Sequence, residues 1–385
     1  METKMRADEV LADAVATGDV AGVVAVAGGR DGIVYEGAFG RREIGGGPGM
    51  TLDTVFWIAS MSKAVTTVAA MQQVERGAVS LDEPLPELEG AQVLEGFDEA
   101  GAPRVRPPRR PITLRHLLTH TAGFTYDIWN ADMGRYMAHH GIPGIIECRN
   151  VTLNTPLVAD PGERWEYGIS IDWAGKVVER LSGQSLEDYL REHVFGPLGM
   201  RDTGFVIGPD QRRRLASMHA RNADGTLQAI EFEVPQEPEF YMGGGGLYGT
   251  GPDYLAFLRM LDGGGDLDGV RVLTPETVAD MMRNHIGDLE VVELKTAIPA
   301  SSNDAEFFPG MVKRWGLGFM INTEGASTGR AAHSMAWAGL ANTYYWLDPS
   351  RHLAGVLLTQ VLPFADEQVL RLFDRFETAV YGQGA

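Results

Sequence analysis

The chain has 385 residues, 44% of them apolar and 22% charged, with a formal net charge of −19. That length and composition describe a globular protein with ample core, and the acidic balance argues against nucleic acid or an anionic membrane surface as partner. The single cysteine, Cys148, excludes an internal disulfide and a multi-cysteine zinc site, and fits a reducing compartment.

The opening METKMRADEVLADAV is charged and holds no apolar run of signal-peptide length, so a cytoplasmic location is the expectation. Residues 6–17 predict a short amphipathic helix. VVAVAG (23–28) and GIVYEGAF (32–39) flank Gly29-Arg30-Asp31-Gly32 and predict a β-hairpin. FWIASMSKAVTTVAAMQQVERG (56–77) predicts a helix that is apolar on more than one face and stops at Gly77. From 81 to 240 strand signals are sparse. Helical patterns fall at 113–120 and 170–195, separated by connections rich in Pro, Gly and Arg such as PRVRPPRRP (103–111). GGGGLYG (243–249) predicts a tight turn, followed by a helix through DYLAFLRML (253–261). NTYYWL (342–347) and LAGVLLT (353–359) flank Asp348-Pro349-Ser350-Arg351 as a second hairpin, and a helix runs from Asp366 to about Tyr381. No stretch approaches the roughly 18 apolar residues of a membrane span. The expected fold is α+β: a central antiparallel sheet flanked by helices, built from 1–80 and 241–385, with a mostly helical insertion at 81–240 and the active site between them.

The 56–77 helix poses a chemical question. Ser60 and Lys63 stand three positions apart at its start, on one face, where their side chains can meet. A buried ammonium is costly to keep charged, so its pKa falls, and a neutral amine beside a hydroxyl is a base beside a nucleophile. Ser-x-x-Lys by itself is a weak signal; as a helix cap and a solvated lysine it would mean nothing. Two more stretches add to it: GERWEYGIS (162–170), carrying Tyr167, and HSMAWAGLANTYYWLDP (333–349), carrying Trp337-Ala338-Gly339.

With these three in order, the chain resembles the serine β-lactamase and penicillin-binding superfamily, and within it the class C β-lactamases and the family VIII carboxylesterases. Ser60-Met61-Ser62-Lys63 matches the Ser-x-x-Lys motif and Tyr167 the tyrosine of the second motif. Trp337-Ala338-Gly339 falls where the lactamases carry Lys-Thr-Gly and the esterases often carry Trp-x-Gly. LRHLLTHTAGF (114–124), GGGGLYGTGPDYLAFLRML (243–261) and WGLGF (315–319) look alike too. The resemblance implies a class C β-lactamase-like fold and an acyl-enzyme on Ser60, with Lys63 and Tyr167 sharing the proton work and a Lys63 cation favouring the Tyr167 phenolate. It also implies an oxyanion site from the N–H groups of Ser60 and Leu340, with Gly339 letting the backbone approach substrate.

Two departures bear on substrate. The lactamase second motif ends in Asn where this chain has Ile169, and the third begins with Lys where it has Trp337. Apolar side chains in place of an amide and a cation suit a small neutral ester better than an anionic lactam. The expected activity is therefore serine carboxylesterase, without metal or cofactor, on a small-molecule ester. The alternatives are β-lactamase, D-alanyl-peptidase or acyltransferase on the same scaffold, and a catalytically silent penicillin-binding-like receptor. Tyr126, Trp129, Trp165 and Trp315 are candidates for the pocket wall. His116 and His120, at i and i+4, and His139-His140 read as structural histidines. The glycine run lacks a nucleotide-binding context, and no Gly-x-Ser-x-Gly elbow occurs.

Overall fold

The structure, a computed structural model, describes residues 2–382. Its centre is an eight-stranded antiparallel sheet ordered Lys313–Trp315, Met320–Asn322, Met335–Gly339, Thr343–Asp348, Leu353–Leu358, Gly22–Gly29, Gly32–Glu43 and Gly46–Gly49. The two hairpins read from sequence join edge to edge, with Val24 opposite Leu358 and Gly28 opposite Ala354. All eight residues of Gly22–Gly29 are buried, as a central strand with helices on both faces requires. At the second hairpin, the Asp348 carboxylate accepts the N–H groups of Ser350 and Arg351 and closes the turn.

The period of two along Thr343–Asp348 assigns the layers. Tyr344 and Trp346 point one way, their rings against Phe373 of the C-terminal helix Glu367–Tyr381. Tyr345 points the other way, 5.1 Å from the ring of Tyr254 on the helix Gly251–Asp262. The N-terminal helix Glu2–Ala16 packs beside the C-terminal one. Trp346 lies across Gly355, its neighbour on the next strand, where a Cβ would fall 2.0 Å from the indole. This is the expected α+β arrangement, an antiparallel sheet with helices on both faces.

The 81–240 stretch is mostly helical, with strands added that the sequence did not mark. It holds helices, among them Ala131–His140 and Ser170–Ser182, but also two hairpins, Val93–Phe97 with Pro103–Arg106, and Met218–Arg221 with Leu227–Ile230. Part of the Pro/Arg-rich connection is thus a strand. Its own positions are exposed or half-buried, so no apolar alternation marked it. The pattern at 170–195 breaks at Gly183, which takes a left-handed φ of +71°, and resumes at Leu186 under the Ser185 N-cap. Val361–Leu362 pairs in parallel with Met218–Arg221 and stitches this stretch to the C-terminal segment. Among the described residues no helix is long and apolar enough to cross a membrane.

Candidate active site

The predicted 56–77 helix begins at Ser62, and Ser60 sits just ahead of it in a 3-10 turn spanning Ala59–Met61. Every residue from Ser62 to Gln73 is buried, which the all-round apolar pattern anticipated. Ala59 holds a left-handed φ of +46°, a conformation an alanine adopts only when its surroundings enforce it. The surroundings do. The Ser62 hydroxyl donates to the Ala59 carbonyl at 2.6 Å and accepts from the N–H of Leu247, while the Tyr254 hydroxyl donates to the Met61 carbonyl. The turn presents Ser60, half-buried, at the floor of a cleft.

Lys63 is fully buried, and its Nζ lies 3.0 Å from Ser60 Oγ, 3.1 Å from Tyr126 Oη and 2.6 Å from the Gly244 carbonyl oxygen. Burial pushes its pKa down to about 7, against the opposing pull of the Asp172 carboxylate. A neutral amine has two N–H bonds and one lone pair. The Gly244 carbonyl can only accept, so it fixes one N–H; a second N–H on Tyr126 leaves the lone pair for the Ser60 proton. In that state the serine hydroxyl donates to Lys63.

Tyr167 is buried as well. The Trp337 indole N–H donates to its hydroxyl at 2.9 Å, and Ser60, like Trp337, pulls the phenol pKa down against burial. Gly168 lets this segment pass against the chain at 124–125, since a Cβ there would stand 2.4 Å from the Phe124 carbonyl oxygen. Burial drives the Tyr167 pKa above that of a free phenol, so it stays protonated at neutral pH. The sequence leaves open which of Lys63 and Tyr167 holds the proton at rest. Nζ sits 4.7 Å above the ring centroid, on the ring face, and burial governs the oxygen. Tyr126 is likewise held well above its usual pKa by burial. The arrangement therefore offers one base, Lys63, flanked by two phenols.

Gly339 ends the strand Met335–Gly339, where a Cβ would lie 2.2 Å from Thr343 Oγ1 and 2.3 Å from the Ile58 carbonyl oxygen. Only glycine lets this strand reach the Ser60 turn. Leu340 follows it and lines the cleft with Trp57, Ala59, Ser60, Tyr126, Ile128, Trp129, Ile145, Ile146, Met242, Gly244 and Gly245. No charged side chain is among these walls. Tyr126 and Trp129 thus line the cleft as expected of them. Trp165 and Trp315 do not: both are buried behind it, packed on each other and on Trp337, and the Trp315 indole donates to the Leu118 carbonyl. Trp337 is buried too and reaches the cleft through Tyr167.

His120 lies behind Tyr167, ring to ring at 4.7 Å, and burial followed by the nearby Lys63 charge keeps it neutral. His116 instead closes the capping box of Leu114–Leu118 with Thr113. The glycine run is more than a turn. Its Gly243 carbonyl accepts from Thr66, its Gly244 carbonyl holds Lys63, and its Gly245 carbonyl accepts the Trp57 indole N–H. Sequence reasoning missed Gly244 and Asp172, a buried carboxylate that accepts the Gly244 N–H at 2.9 Å. Asp172 stands five residues after Tyr167, in the first turn of Ser170–Ser182; an acid on an otherwise apolar stretch was the signal available.

A model of the Beta-lactamase family matches residues 7–379. The chain belongs to the beta-lactamase family. It is 36% identical over 355 residues to monacolin J acid methylbutanoyltransferase of Aspergillus terreus, covering 87% of this chain and 84% of that one. It is 32% identical over 396 residues to lovastatin esterase of Penicillium rubens, covering 97% of each. Among solved structures, a LovD6 mutant of simvastatin synthase from Aspergillus terreus superposes with a TM-score of 0.86 at 33% identity, covering 99% of this chain and 97% of that one. This beta-lactamase-family protein is a serine-type enzyme of the hydrolase and acyltransferase group.

Proposed function

We propose that this protein is a serine carboxylesterase that hydrolyses small neutral carboxylic esters through an acyl-enzyme on Ser60. The observation that carries the reading is the 3.0 Å contact between Ser60 Oγ and a buried Lys63 amine whose pKa lies about 7, at the floor of a cleft with uncharged walls. Ser60 Oγ attacks the ester carbonyl as its proton passes to Lys63. The oxyanion forms against the N–H groups of Ser60 and Leu340, each such donor contributing about 2.7–4 kcal/mol to the transition state. Collapse expels the alkoxide, which takes a proton from the Lys63 ammonium by way of the Tyr167 phenol, itself anchored by Trp337. Water then repeats the sequence in reverse on the acyl-Ser60 ester and releases the acid.

Transfer of the acyl group to an alcohol instead of water is the second reading. Ile128, Trp129, Ile145, Ile146 and Met242 give the cleft an apolar wall suited to an organic acceptor, and relatives at 36% and 32% identity carry a transferase and an esterase name. The test is hydrolysis of p-nitrophenyl acetate and butyrate beside a chromogenic cephalosporin, with and without an added alcohol. Ester turnover that vanishes in Ser60→Ala is expected. Turnover of the lactam alone would overturn the esterase, and absence of any turnover or acylation would return the protein to a silent receptor. New ester formed from added alcohol in preference to free acid would make the transferase the main activity.

A further inference from the structure

Asp172 contacts neither the cleft nor Ser60, yet its surroundings single it out. The side chain is fully buried, one oxygen accepts the Gly244 N–H at 2.9 Å, and the other oxygen has no hydrogen-bond partner. A carboxylate left half-satisfied in a protein interior is costly. It lies directly against the glycine run: a Cβ on Gly244 would fall 2.7 Å from Asp172 Oδ2. Gly244 in turn is the residue whose carbonyl oxygen takes the Lys63 amine at 2.6 Å. Carboxylate, one backbone residue and amine therefore form a chain of two short hydrogen bonds.

Burial sets the state of the phenols, the imidazole and the thiol around this chain. Burial holds Tyr126 and Tyr167 in the phenol form and keeps His120 unprotonated. Burial also pushes the Cys148 thiol, which feels the Asp172 charge, up to about 12. Asp127 acts on Tyr126. Among the described residues, Asp172 is the acid whose charge bears on Lys63.

We propose that Asp172 is a positioning residue for the Ser60–Lys63 pair: its carboxylate fixes Gly244 against the Lys63 amine and supplies the negative charge that this amine faces. The inference rests on Lys63 being the base of the proposed reaction. Burial alone would strip the amine of its proton and leave it a weak base; the carboxylate opposes that and returns Lys63 to the range where proton transfer at neutral pH is efficient. Because the two groups interact, the observed titration belongs to the pair.

The experiment is the pH profile of kcat/KM for p-nitrophenyl butyrate in the wild type, Asp172→Asn, Asp172→Ser and Ser60→Ala, with thermal midpoints measured alongside. The wild-type profile should rise through a limb near pH 7, where burial brings Lys63. Asp172→Asn keeps an oxygen for the Gly244 N–H and loses the charge, so its limb moves to lower pH by about one unit or more. Asp172→Ser should move the limb the same way, and carries the test if the Asn variant does not fold. A folded variant with less activity but a limb at the wild-type pH would reduce Asp172 to a structural role and overturn the inference. Activity that survives in Ser60→Ala would overturn the proposed function itself. A dead Ser60→Ala with an unmoved limb in the Asp172 variants overturns the Asp172 role alone.

Discussion

Arg330 and Glu377, against the C-terminal helix, are a buried ion pair of a finished kind. The guanidinium meets both carboxylate oxygens, with Nε to Oε1 at 2.9 Å, and Thr328 Oγ1 donates to Oε1 at 2.6 Å. Lys63 and Asp172, equally buried, are built the other way. A backbone residue stands between them, one carboxylate oxygen is left without a partner, and their pKa values are drawn to about 7 and about 6. Direct bidentate pairing pins charge in place and ties the 325–330 loop to the helix. Indirect pairing leaves the charge poised to move with a small change in conditions. The contrast separates a charge pair that holds structure from one arranged for proton transfer.

Lys63→Met gives the largest effect expected: ester turnover falls about 10⁴-fold while the far-UV circular dichroism at 25 °C stays that of the wild type. A loss below tenfold would erase the distinction between the pairs. Glu377→Ala strands a buried Arg330 and should cost about 3–5 kcal/mol in urea unfolding, with turnover per folded molecule within about twofold of wild type. The double replacement Arg330→Met, Glu377→Leu should recover most of that stability, since well-packed apolar groups replace a buried pair at little loss. Trp337→Phe keeps an aromatic ring, though a smaller one, and removes the N–H that anchors Tyr167. A fall in kcat of about tenfold, with KM little changed, is the expected result, equivalent to roughly 1.4 kcal/mol. Thr328→Val is the smallest change, about 1 kcal/mol in stability with no change in turnover.

Much of the fold was legible because its hairpins and helices obey simple periods. The strands at 22–29 and 353–358 are continuous apolar runs bounded by turn residues, and the C-terminal helix has a clear apolar face. The hairpins at 93–106 and 218–230 were not, since their exposed faces carry polar and charged residues without alternation. In the site, Ser60, Lys63 and Tyr167 were found through spacing and motif, and the structure brings their side chains together with Tyr126 and Trp337. Trp165 and Trp315 show the limit of composition: an aromatic residue near a motif can equally be the packing behind it. Gly244 escaped because its contribution is a carbonyl, which every residue has. Asp172 escaped because its partner is main chain 72 residues away, a contact that leaves no spacing to read.

The carbonyl that receives Lys63 also has a consequence for how such an enzyme changes over generations. A Cβ at position 244 would first meet the Asp172 carboxylate, 2.7 Å from Oδ2, so the room for a side chain there is set by the residue at 172. The two positions are therefore free to change only together. In a saturation library of both, side chains at 244 should survive where 172 carries a smaller residue and be purged where it carries Asp.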